Sequence, residues 1–107
     1  MSFARLAYLA AFVPIIAFGA DAEVLLKIKD HRFDPAEIRI PANQKIKLVV
    51  QNLDATPEEF ESHALNREKV IPGNSKATLY IGPLSPGRYP FVGEFNEQTA
   101  KGAVIVD

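Results

Sequence analysis

The chain has 107 residues, with 12 basic and 13 acidic side chains and a net charge of -1. That length fits one domain, and the even charge balance lacks the basic surface a nucleic-acid binder carries. There is no cysteine, and Met1 is the one methionine, so disulfides, zinc fingers, thiolate nucleophiles and cysteine-held copper or iron–sulfur centres are excluded together.

The chain opens as an export signal. Arg5 is the one charge before Asp21, Leu6 to Phe18 is apolar apart from Pro14, and Ala20-Asp21-Ala22 is the small-x-small pattern of a cleavage site. A short cationic start, an apolar run and such a site make a secretory signal peptide over residues 1–22. The apolar run is shorter than the roughly 20 residues of a spanning helix. Cleavage after Ala22 leaves a domain from Glu23 to Asp107, expected in the periplasm without stable membrane insertion.

From there the sequence alternates. Val24, Leu26 and Ile28 are apolar on one side of a first segment, followed by Ile38 and Ile40, then Ile46, Leu48 and Val50. Ala77, Leu79 and Ile81 repeat the pattern, as do Tyr89, Phe91 and Gly93, and the chain closes on the β-branched run Gly102 to Val106. Period two with β-branched and aromatic residues predicts half-buried strands. Asp34-Pro35, Pro41-Ala42-Asn43, Pro72-Gly73-Asn74 and Pro86-Gly87 supply turns between them. Many short strands at this spacing predict an all-β, two-sheet antiparallel sandwich. Asn52 to Ser75 is the longest stretch without clear alternation and is expected to be the connection that crosses between the sheets.

Three segments carry a family resemblance: Phe33-x-Pro35-x-x-Ile38, Lys47-Leu48-Val49-Val50-x-Asn52 and Pro86-Gly87-x-Tyr89-x-Phe91. Together they resemble the cupredoxin pattern, in which a strand ending in Asn leads to the first copper histidine and a Pro-Gly-x-Tyr-x-Phe strand leads to a Cys-x-x-His loop. The resemblance implies a Greek-key cupredoxin-like sandwich over residues 23–107. It also marks where this chain departs from copper: Gly93 stands at the cysteine position, Asn96 at the second histidine, and the first histidine's region reads Glu58-Glu59-Phe60-Glu61. A blue-copper centre needs thiolate sulfur, so none forms here. In its Glu59-Phe60-Glu61 arrangement and its Gly93-Glu94-Phe95-x-Glu97 segment, the sequence is more similar to the EfeO-type cupredoxin-like branch of bacterial ferrous-iron transport, in particular the small periplasmic FtrB-type cupredoxin. That similarity implies a metal-binding accessory, with Cu(II) or Fe(II)/Fe(III) as the cofactor and a membrane iron permease or a periplasmic iron-binding protein as the partner.

The candidate ligands follow from residue type. Glu59 and Glu61 share one face of an extended segment while Phe60 points to the core. The pair is either a solvated acidic run or a seat for a divalent cation with oxygen ligands. Glu94, Asn96 and Glu97 lie in the loop after the Tyr89–Gly93 strand and are expected to meet Glu59 and Glu61 at one end of the sandwich. His31, after Asp30 at the end of the first strand, is expected at the same end, where an imidazole would complete the site. His63 is a less constrained candidate. Ser62-His63 does not make a nucleophile–base pair, since sequence neighbours do not face each other. No catalytic residue is assigned, and a redox or ferroxidase-like accessory role is left open. The alternative to metal binding is a metal-free sandwich that docks a basic partner through its acids.

Overall fold

The computed structural model describes residues 15–18 and 21–107. Ten strands and one short 3-10 turn follow in order: β1 (Ile15–Phe18), β2 (Asp21–Lys29), β3 (Arg32–Asp34), β4 (Glu37–Ile40), β5 (Ile46–Asn52), β6 (Glu58–Ser62), β7 (Arg67–Ile71), β8 (Ser75–Ile81), β9 (Gly87–Gly93), the turn η1 (Glu94–Asn96) and β10 (Lys101–Val106). The cationic start and the first part of the apolar run expected as a signal peptide lie outside the described residues. The expected cleavage point after Ala22 falls near the start of β2.

The strands form two five-stranded sheets. One runs β1-β2-β5-β8 with β3 also on β2, and the other runs β4-β10-β9-β6-β7. β2 pairs with β5 and β4 with β10 in parallel, and the remaining ladders are antiparallel. Non-sequential neighbours in both sheets make this a two-sheet β-sandwich.

Period two sets the core. β5 alternates buried and half-buried residues along its length, with Ile46, Leu48 and Val50 inward. Leu26 and Ile28 from β2 lie on the same inner face, opposite Ile38, Phe60, Phe91 and Val104 of the second sheet. Burying each such side chain contributes about 1.5–3 kcal/mol. Phe33, Phe60 and Phe91 pack together: the Phe33 and Phe91 rings meet edge-on at 4.9 Å, and Phe60 and Phe91 are tilted at 4.9 Å.

The stretch from Asn52 to Ser75, expected as a connection, contains two strands. β6 and β7 pair with each other, and β6 also pairs with β9 through Phe60↔Gly93 and Glu61↔Val92. Their signal is weak because the inward positions of β6 are Glu58, Phe60 and Ser62, and β7 buries Ile71 alone.

Candidate metal centre

Two local constructions organise the end of the sandwich near β6. The first is centred on Asn52, the last residue of β5 and 1% exposed. Its side-chain Nδ2 donates to the carbonyls of Thr56, Ile71 and Pro72, at 2.8, 3.1 and 3.3 Å. Its Oδ1 accepts the Asp54 N–H at 3.0 Å. One buried amide thus folds the β5–β6 connection onto the end of β7. Asp54 extends the network: its carboxylate accepts the backbone N–H of Asp30 at 2.8 Å and of His31 at 3.0 Å. Asp30 and His31 both have left-handed backbone, with φ of 53° and 58°, the conformation of a tight two-residue hairpin turn. A His in that region carries a steric cost, which the two bonds to Asp54 offset. These bonds, led by that from His31, hold the Asp54 carboxyl below its usual range. The His31 ring contributes too, with Nδ1 3.6 Å from the Asp54 carboxylate.

The second construction is the meeting of β6 and η1. With Phe60 inward, Glu59 and Glu61 lie on the opposite face of the strand, half-buried, as the alternation requires. Glu94 on η1 comes against both. The Glu59 carboxyl is pushed up, first by partial desolvation and then by the Glu94 charge. The Glu61 carboxyl is pushed up first by a shared hydrogen bond with Glu94 and then by desolvation. Glu68 on β7 adds like charge to each. None of the ion pairs among the described residues involves these four acids.

The predicted ligands therefore separate. Glu59, Glu61 and Glu94 come together. Asn96 turns the other way: its Nδ2 donates to Glu58 Oε2 at 2.7 Å. Glu97 lines a shallow cleft of about 280 Å³ with Glu61 and His63. His31 is held by Asp54. Among the described residues, no group of three or more His, Cys, Asp or Glu side chains is arranged to hold a metal ion.

The residue that sequence reasoning underweighted is Glu58. It is 2% exposed, and its Oε1 accepts the N–H groups of Phe95 at 2.8 Å and Glu59 at 2.9 Å. The parity that sends Phe60 inward sends Glu58 inward as well.

Comparison with known proteins fits this architecture. The sequence pattern of the cupredoxin-like domain matches residues 2–106. The chain belongs to the cupredoxin-like domain family. This cupredoxin-like domain is 44% identical over 85 residues to uncharacterized protein RP394 of Rickettsia prowazekii, covering 79% of this chain and 68% of that one. Its fold is similar to the metal-binding domain of the Cu(I)-exporting P-type ATPase CopA of Streptococcus pneumoniae, with a TM-score of 0.77 at 14% identity over 90% of this chain and 95% of that one. It is also similar to auracyanin A, a blue copper protein of Chloroflexus aurantiacus, with a TM-score of 0.70 at 12% identity over 81% of this chain and 99% of that one. At such identities the likeness concerns the fold. No helix among the described residues of this cupredoxin-like domain is long and apolar enough to cross a membrane.

The copper that the fold implies is not matched by the donors present. No sulfur stands at position 93. Asn96 spends its amide nitrogen on Glu58. A Cβ built on Gly93 would lie 2.7 Å from Glu58 Cδ and 2.8 Å from its Oε2, so the Glu58 carboxylate occupies the space a side chain at 93 would use. A copper centre of the cupredoxin type does not fit these residues.

Proposed function

We propose that this chain is an exported, periplasmic cupredoxin-like protein that takes up Fe(II) or Cu(II) on carboxylates at one end of its sandwich and serves a ferrous-iron uptake system as an accessory. The observation that carries the reading is the convergence of Glu59, Glu61 and Glu94, where partial desolvation and the Glu94 charge push the Glu59 carboxyl up and a hydrogen bond shared with Glu94, then desolvation, push the Glu61 carboxyl up. A divalent cation would relieve that crowding, with Glu59 and Glu61 as the donors that this chain supplies. Oxygen donors suit Fe(II), Fe(III), Mn(II) or Cu(II), whereas Cu(I) favours sulfur. Copper-binding proteins among the structural neighbours support a metal-handling reading. Since no three His, Cys, Asp or Glu side chains among the described residues are arranged to hold a metal ion, water or a partner's side chain would complete the coordination, which suits a protein that passes its ion on.

The test is titration of the full chain with Cu(II), Fe(II) and Mn(II), followed by calorimetry and by thermal unfolding. A cation at 100 times its dissociation constant adds about 2.7 kcal/mol to stability. The expected result is stabilisation in the wild type and its loss in Glu59→Gln/Glu61→Gln. The second reading, a metal-free interaction module, is favoured by the saturated Glu58–Asn96 pair. Absence of any metal-dependent shift in the wild type would select it.

A further inference from the structure

A buried carboxylate is costly unless donors surround it. Glu58, 2% exposed, has no Lys, Arg or His paired with it among the described ion pairs. Three N–H donors surround it instead, from Glu59, Phe95 and the Asn96 amide. Two of the three come from η1, on the far side of the β6–β9 junction. One side chain thereby fastens β6 to η1, with charge-assisted bonds stronger than neutral ones.

The neighbouring residues are shaped to this carboxylate. Gly93 has φ of -92°, a backbone open to any residue, so its glycine is a matter of space. A Cβ there would press on Glu58 Cδ at 2.7 Å and on the Ala100 Cβ at 2.6 Å. Positions 58, 93 and 96 thus meet at one point, and they carry an acid, a hydrogen and an amide. The Asn96 N–H₂ and the Phe95 N–H direct positive dipole at that point, which opposes a cation and satisfies the anion.

We propose that Glu58, Gly93 and Asn96 form a metal-independent latch that fastens β6 to η1, at the positions that the sequence resemblance aligns with the cupredoxin ligands. The latch takes no metal itself. It is separate from the outward-facing group of Glu59, Glu61 and Glu94 and stands whether or not that group binds a cation.

The experiment reads the Phe95 amide by hydrogen exchange, and Cu(II) affinity by calorimetry, on the full chain. In chelator, the wild-type Phe95 N–H is expected to be protected, and added Cu(II) leaves its protection unchanged. Glu58→Gln lowers that protection at least about tenfold, equivalent to about 1.4 kcal/mol. Asn96→Ala, which alters a residue of η1 outside the core, keeps the fold and also lowers it, should Glu58→Gln fail to fold. Asn96→His replaces the opposing amide with a nitrogen lone pair, and is expected to raise Cu(II) affinity about tenfold or more. That gain persists with Glu59→Gln/Glu61→Gln and disappears with Glu58→Gln, or with Glu58→Ala where the Gln variant does not fold. A wild-type Phe95 amide that is open in chelator and becomes protected on adding Cu(II) would overturn the latch. So would an Asn96→His gain that survives loss of Glu58. Loss of wild-type metal binding in Glu59→Gln/Glu61→Gln bears on the proposed function alone.

Discussion

Asp54 and Glu59 lie a few residues apart in sequence, and their carboxyls are shifted in opposite directions. Asp54 faces the backbone N–H groups of Asp30 and His31 and the His31 ring, and its carboxyl is held down. Glu59 faces Glu94, Glu68 and Glu61, and its carboxyl is pushed up. The difference lies in what surrounds the charge: donors fixed by the fold in one region, like charges in the other. The first region uses its acid to hold loops together. The second crowds partly desolvated acids against one another, with Glu61 and Glu94 sharing a hydrogen bond. Glu58, between them in sequence, belongs with Asp54 by chemistry, since its charge is met by N–H donors.

The largest expected effect comes from breaking the network behind Asp54. Asn52→Ala removes an amide that serves three carbonyls and one N–H in a buried setting. Leaving several of these groups unpaired costs about 3 kcal/mol, measured by denaturant unfolding. Asp54→Ala acts next to it and removes the acceptor for two N–H groups in a left-handed turn. The partners can reach water there, so the loss is smaller, about 1–2 kcal/mol, and the hairpin turn at Asp30–His31 loosens, visible as faster amide exchange at His31. Glu59→Gln/Glu61→Gln acts in the other direction. Removing like charges from this half-buried face raises the thermal midpoint of the metal-free protein slightly, and the same variant loses the metal-dependent stabilisation of the wild type. A fall in midpoint would show that these acids are met by donors after all, and would erase the contrast with Asp54.

The sandwich was legible wherever alternation was undisturbed. β2, β4, β5, β8 and β9 follow from their apolar parity and β10 from its β-branched run, and the Asn and Asp turn residues sit where expected, with Asn43 and Asn74 left-handed. β6 and β7 were not legible because acids occupy both faces of β6 and β7 buries one residue. At the site, parity within one strand correctly put Glu59 and Glu61 on the same side. It did not reveal which side Asn96 takes, because the donors that fix it, and the space that Gly93 leaves, come from residues distant in sequence. His31 illustrates the same limit: its left-handed turn and its bond to Asp54 depend on a loop folded down by Asn52, which no local pattern encodes.

The contrast is sharpest as a function of pH. Asp54 has a folded value below its ordinary 3.8, so above that ordinary value the unfolded chain gives no extra protons and the stabilisation is complete. As pH falls below about 3.8, the unfolded state takes up protons first and the contribution is lost. Glu59 and Glu61 have folded values above their ordinary 4.5, so the folded state binds protons first on acidification. Their repulsion destabilises the protein at neutral pH, and that penalty is relieved as pH falls toward about 4.5. Unfolding free energy measured by denaturant from pH 7.5 to pH 3 separates the two. Subtracting the Glu59→Gln/Glu61→Gln profile from the wild type should leave a difference that rises on acidification from neutrality and is flat below about 4.5. Subtracting the Asp54→Ala profile should leave one that is flat from pH 7.5 to about 4.5 and falls below about 3.8. Added Mn(II), a spectroscopically simple divalent cation, should flatten the first difference near neutrality and leave the second unchanged. If the first difference is flat throughout, Glu94 does not crowd Glu59 and Glu61 in solution, and the carboxylate group offered for cation uptake loses its physical basis.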